Sequence, residues 1–373
     1  MKKTYDAIVI GGGINGCSIA YQLAKRGRSV AVIEKGRLAD KASGAAAGML
    51  GAQTELTDDG PLFEFARKSR AMFPELAREL EELTGVHIGL QNRGMYRVAA
   101  TEKEAIELKK LIEFQTKSGE TAKWVSFQEL MEQEPHVSSS LIGAMFIPND
   151  GQVDARELTI AFAKAAMLNG AEFYEFTNVN DLILGNEKAH GIQTDLGPMY
   201  AESIVIATGA WSPFLIEKTG LTLPISPVKG ECLSVLTNKP LIKGTVFSHG
   251  CYIVPKKSGR LIIGATVKPD TFDERVTVDG ISSLMEKAKR LVPGIGESEL
   301  ERAWSGIRPL SKDGLPFLGE HPSCRNLYIA AGHFRNGILL SPATGELIAD
   351  LMDGKSKDSG PFRLSRINSS VSA

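Results

Sequence analysis

A strand, a glycine-rich turn, a helix and a second strand ending on an acid follow one another between Tyr5 and Glu34, and they leave the chain few folds to choose from. Ala7-Ile8-Val9-Ile10 is a short apolar run with β-branched residues, the pattern of a buried parallel strand. Gly11, Gly13 and Gly16 then take the G-x-G-x-x-G spacing. The first allows a tight turn, the second lets backbone approach a pyrophosphate, and the third lets the next helix pack on the strand. Cys17 to Lys25 has helical composition with Gly27 as its stop, and Ser29 to Ile33 is the second strand. Glu34, at its end, can accept hydrogen bonds from a ribose 2′-OH and would repel a 2′-phosphate. A diphosphate would sit on the amides and positive dipole end of the helix that starts near Ile14. A glycine-rich turn alone needs no ligand. Here every part lies at its expected offset within about 30 residues, which favours dinucleotide binding. The motif does not separate FAD from NAD.

The length of 373 residues suggests two domains of ordinary size. Lys35 to Gly51 is rich in small residues, as backbone lying against a flat ligand would be; an Ala-rich turn in the core reads equally well. Pro61 to Thr84 has an amphipathic helical pattern, which Pro74 should kink or divide, with Gly85 as its stop. Met95 to Ala99 is a strand. Thr101–Glu104 and Ser126–Glu129 are capping boxes of helices expected to cover a sheet. Gly143 to Ile147 is a strand, and Pro148-Asn149-Asp150-Gly151 a turn. A helix opened by Asp154 and a strand from Glu172 to Phe176 restore the α/β alternation. Val179 lies just past that strand, where backbone could touch an adenine ring. Ser203 to Trp211 reads as a further pass of the nucleotide-binding sheet. The stretch from Leu223 to Val267 is mostly β, with Lys257 to Arg260 as a hairpin turn. Leu327 to Ala331 is a buried strand, Gly332 to Gly337 a turn and Ile338 to Leu351 a helix. The Ser-rich tail from Lys355 is expected to fray.

A net charge of −1 points to neither nucleic acid nor an anionic membrane surface. Cys17, Cys232, Cys251 and Cys324 are scattered, so neither a metal site nor a disulfide framework follows, and a reducing cytoplasm is the simplest setting. Lys2-Lys3 before an apolar run imitates a signal peptide, but Asp6 interrupts the run. No apolar stretch is long enough to span a membrane.

Further motifs carry a resemblance over nearly the whole chain: Ala45-Ala46-Ala47-Gly48-Met49-Leu50, Val228-Lys229-Gly230-Glu231-Cys232-Leu233-Ser234, Cys251-Tyr252-Ile253-Val254-Pro255, Gly306-Ile307-Arg308-Pro309 with Asp313-Gly314, and the stretch from Gly332 to Leu340. Together with Ile8 to Gly13 they resemble the FAD-dependent amine oxidases that include D-amino acid oxidase and sarcosine oxidase, the glycine-oxidising bacterial branch most of all. The resemblance implies non-covalent FAD, because Leu310 to Gly314 holds no Cys to attach it. It implies α/β plus α+β architecture: a discontinuous Rossmann-type FAD-binding domain (1–90, 150–215 and 305–373) and a β-rich substrate domain (91–149 and 216–304).

Carried over by motif, cofactor contacts beyond Gly11, Gly13 and Gly16 fall at Ile14, Asn15, Glu34, Lys35, Ala42, Ser43, Ala47, Gly48, Met49 and Val179. They continue through His333, Phe334, Arg335, Asn336, Gly337, Ile338 and Leu339. The substrate implied is a small amino acid: glycine, with sarcosine and D-alanine as relatives. Arg308 would hold its carboxylate in a planar fork, with Tyr252 and Arg335 beside it. Read from the sequence alone, Arg308 could equally pair with an acid such as Asp313. His249 and His333 read as structural, and no acid–base residue is needed. Hydride would pass from the α-carbon to flavin N5, giving glyoxylate, ammonia and, with O2, hydrogen peroxide. The resemblance further implies a homotetramer and a role in supplying the imine for the thiazole of thiamine. Thr54, Gly250 and Val267 depart from the family's pattern and are expected to alter the pocket. The competing enzyme is a sarcosine or D-amino acid oxidase of the same fold; competing classes are an NAD-dependent dehydrogenase and a flavin-binding protein without catalysis.

Overall fold

A computed structural model describes residues 4–366 and builds them around two sheets. The opening unit forms as its pattern requires: β1 (Thr4–Ile10), α1 (Ile14–Lys25) and β2 (Val30–Ile33). β1 lies between β2 and β4 (Gly197–Ile206), parallel to both. β3 (Glu172–Tyr174) extends the sheet beyond β2, and β5 (Cys324–Ala331) extends it beyond β4, again in parallel. Strands buried on both faces need cover on both. Val9, Ile19, Phe162 and Leu339 pack one side with α1, α2 (Ala155–Leu168) and α3 (Gly337–Met352), whereas Ile8, Ile10, Ile204 and Ile329 fill the other. Ser18 on α1 donates to the Ser341 carbonyl at 2.8 Å, drawing α1 and α3 together beneath the glycine loop.

The second sheet has nine strands, contributed by residues 95–147 and 225–311. Its longest ribbon pairs Ile225–Leu236 antiparallel with Glu299–Ser311 and sets Val228 opposite Arg308, and Gly230 opposite Gly306. Glu299–Ser311 is one continuous strand across the boundary expected at 304/305. The hairpin around Lys257 to Arg260 pairs Tyr252 with Gly264. Both capping boxes form, and Ala105 and Leu108 of the first helix cover the sheet at Met145 and Ile147.

Three local expectations change. Pro74 does not divide its helix, which runs unbroken from Pro61 to Thr84. Pro74 is exposed, so water can take the carbonyl that its missing N–H leaves unpaired. The strand from Glu172 stops at Tyr174, and Phe176 turns out to solvent at φ 55°. The tail does not fray as far as residue 366: Phe362 and Leu364 are buried, and Arg366 pairs with Asp313 at 2.7 Å. The rest of that tail and the Lys2-Lys3 pair lie outside the described residues.

Candidate active site

One cavity of about 920 Å³ runs from the glycine loop to the long ribbon of the second sheet. Gly11, Gly13, Ile14 and Asn15 line it where β1 gives way to α1. Gly11 takes φ 110°, and a Cβ on it would stand 2.6 Å from the Ala207 carbonyl oxygen. Gly16 lies beneath rather than on the wall: its Cβ would stand 1.9 Å from the Gly11 oxygen, the helix–strand approach expected of the third glycine. α1 begins at Gly13 with no side-chain cap, although Ile14 donates its N–H to Ser43 Oγ at 2.9 Å. Asn15 Oδ1 is buried without a partner among the described residues.

Glu34 also lines the cavity, with Lys35. Its carboxylate accepts from the Gly12 N–H at 2.7 Å and from the Gly36 N–H at 2.8 Å, so it already holds the glycine loop in shape. Ala42, Ser43, Ala47, Gly48 and Met49 form a small-sided wall. The second sheet fastens that wall: Trp304 Nε1 donates to the Ala45 carbonyl at 3.0 Å, and a Cβ on Gly306 would lie 2.6 Å from Ala45 Cβ. Val179 closes the end beside Glu34 together with Thr177 and Asn178.

The C-terminal turn brings His333, Phe334, Arg335, Gly337 and Ile338 to the cavity. Phe334, at φ 48°, donates its N–H to the Pro309 carbonyl at 2.9 Å. Asn336 and Leu339 do not reach the wall; Asn336 begins α3 without a side-chain cap and Leu339 points into the core. His333 is buried at the cavity wall. Its Nε2 meets Thr344 Oγ1 at 3.1 Å, and burial lowers its pKa to about 3, so the ring is neutral.

At the opposite end Tyr252, Arg308 and Arg335 meet around Gly230 and Cys232. Among the described residues no carboxylate pairs with Arg308. Asp313 goes to Arg366 instead, and Arg308 Nη1 reaches only the Thr266 carbonyl at 3.3 Å. A Cβ on Gly230 would stand 2.2 Å from the Arg308 guanidinium, so glycine is what leaves room for it. Tyr252 Oη lies 3.5 Å from Cys232 Sγ, and burial raises both groups, leaving a neutral hydroxyl and thiol.

Sequence reasoning missed Glu55. It lies on this wall and pairs with Arg335. Burial pushes its carboxyl up, against the opposing pull of Arg335 and Arg308. Its short helix (Ala52–Glu55) hangs on Asp150, which accepts from the Thr54 N–H and hydroxyl, each at 2.8 Å, and pairs with Arg70 at 2.6 Å. The expected turn residue Asp150 is therefore a fully buried anchor. The available signal was that Glu55 is the only acid between Asp40 and Asp58, directly after the small-residue stretch. Thr54, Gly250 and Val267 do not line the cavity, contrary to expectation. Thr54 is turned to Asp150, Gly250 makes a hairpin turn at φ 73°, and Val267 is 59% exposed.

An uncapped helix N-terminus, an orphaned buried amide oxygen and a wall of small side chains suit a dinucleotide with a diphosphate and a flat ring. Residues 6–351 match the model of the FAD dependent oxidoreductase family (DAO). The chain is 49% identical over 370 residues to a glycine oxidase of Geobacillus kaustophilus (strain HTA426), covering 98% of each. It is 35% identical over 358 residues to a bifunctional protein ThiO/ThiG of Synechocystis sp., covering 94% of this chain and 52% of that one. A crystal structure of glycine oxidase from Geobacillus kaustophilus superposes with a TM-score of 0.95 at 48% identity, over 98% of this chain and 99% of that one.

Proposed function

The chain belongs to the family of FAD dependent oxidoreductases, and from that premise we propose that it is a glycine oxidase. The observation that carries this reading is Arg308: a guanidinium on the cavity wall with no acid partner among the described residues, beside the neutral hydroxyl of Tyr252. A planar donor fork in that position suits a carboxylate. Glycine held there would turn its α-carbon toward the flavin end of the cavity, and the chain's task is to hold that alignment and keep water out. Glu34 and the amides of the glycine loop would take the ribose and diphosphate, while the N-terminus of α3 would face the flavin ring.

FAD held there without a covalent link would supply a two-electron acceptor for the α-carbon hydride, with O2 as the final oxidant. Overall, glycine, O2 and water give glyoxylate, ammonia and hydrogen peroxide. The first sheet with its helices is read as the cofactor-holding part and the second as the substrate part. A cytoplasmic homotetramer that supplies imine for thiazole synthesis completes the reading, on the family's strength alone.

The test is the rate of peroxide formation with glycine, sarcosine and D-alanine, with glyoxylate identified as the product from glycine. Turnover of sarcosine or D-alanine without glycine would move the substrate and keep the fold.

A further inference from the structure

The segment from Asp270 to Thr277 leaves the second sheet after Pro269 and returns as the helix Val278–Leu291. Buried side chains hold its root. Lys229, 1% exposed, donates through Nζ to the Arg275 carbonyl, and Glu231 accepts from the Thr277 N–H at 2.7 Å. Its tip is exposed and reaches across to the first sheet's side of the cavity. Glu274 accepts from Lys41 Nζ at 2.7 and 3.0 Å. Phe272 sits with its ring 5.4 Å from that of Trp211 and 5.8 Å from that of Phe214. All five of these residues line the cavity. Lys41 follows the loop after Glu34, and Trp211 and Phe214 follow β4, so the contacts lie over the dinucleotide half.

We infer that Asp270–Thr277 is a strap that retains the cofactor, and that FAD leaves by parting Lys41 from Glu274 and Phe272 from its two aromatic partners. The segment is largely exposed and contributes little to the core, so it can part from its contacts without disturbing the core. One exposed ion pair and two ring contacts together would slow release about ten-fold or more. The inference rests on FAD binding by the family and is independent of which amine is oxidised.

The test follows FAD release from the holoprotein, as the rise of free-flavin fluorescence after dilution. Lys41→Glu, Glu274→Lys and Phe272→Ala should each release FAD about three- to ten-fold faster. The double swap Lys41→Glu/Glu274→Lys should return toward the wild-type rate, and raised salt should speed release from the wild type. Unchanged release in the single variants would overturn the strap. So would a swap that stays fast, which would assign Lys41 to the phosphates directly, or wild-type release that ignores salt.

Discussion

Arg335 Nε lies 2.8 Å from Glu55 Oε2, and the Glu55 side chain is only 9% exposed. The second arginine of the candidate substrate site is therefore held by an internal carboxylate, while Arg308 is left open. Burial raises the Glu55 pKa, so its charge is the easier one to remove as the solution is acidified. Above that pKa Glu55 is ionised and occupies Arg335; as the pH falls through it, Glu55 takes a proton and the pair loosens. Binding of a small anion that does not itself titrate, such as methanesulfonate, should tighten as the pH falls. Glu55→Gln should bind it several-fold more tightly and lose the pH dependence. Quenching of flavin fluorescence would measure both; equal slopes in the two proteins would separate Glu55 from the anion site.

Arg308→Ala should raise the KM for glycine with FAD still bound. Hydrogen bonds to charged groups contribute about 1.5–3 kcal/mol, which corresponds to roughly 10- to 150-fold in KM. Gly230→Ala should act in the same direction, because the new Cβ would occupy the place of the guanidinium. Steady-state kinetics with the flavin content of each variant checks both, and an unchanged KM in Arg308→Ala would remove it from the carboxylate site.

Glu34→Ala removes the acceptor of two backbone N–H groups as well as the carboxylate proposed to meet the ribose. FAD affinity should fall at least ten-fold, on the scale of about 1–3 kcal/mol for unpaired buried polar groups. The ratio of flavin to protein absorbance after dialysis measures it. Full retention of FAD would contradict the role.

The glycine loop was legible because its geometry is local: Gly11, Gly16 and Glu34 owe their places to backbone offsets inside one unit. Arg308 was legible only through resemblance to a family. Whether it would pair with Asp313 depended on Arg366, which comes from the far end of the chain. Glu55 was marked only as a lone acid after the small-residue stretch, which gives no partner for it. Its position follows from Asp150 and Arg70, two residues distant in sequence that hold its short helix from beneath. Asp150 itself looked like an ordinary turn residue, and only tertiary packing makes it an anchor. The same holds for Thr54, which is turned inward to Asp150 rather than toward the cavity.

The most direct test of glycine oxidation is the visible spectrum of the purified holoprotein when glycine is added without oxygen. The account predicts a yellow protein whose flavin absorbance bleaches, then returns when air is admitted, with hydrogen peroxide formed as the colour recovers. A yellow protein whose spectrum glycine leaves unchanged would contradict it.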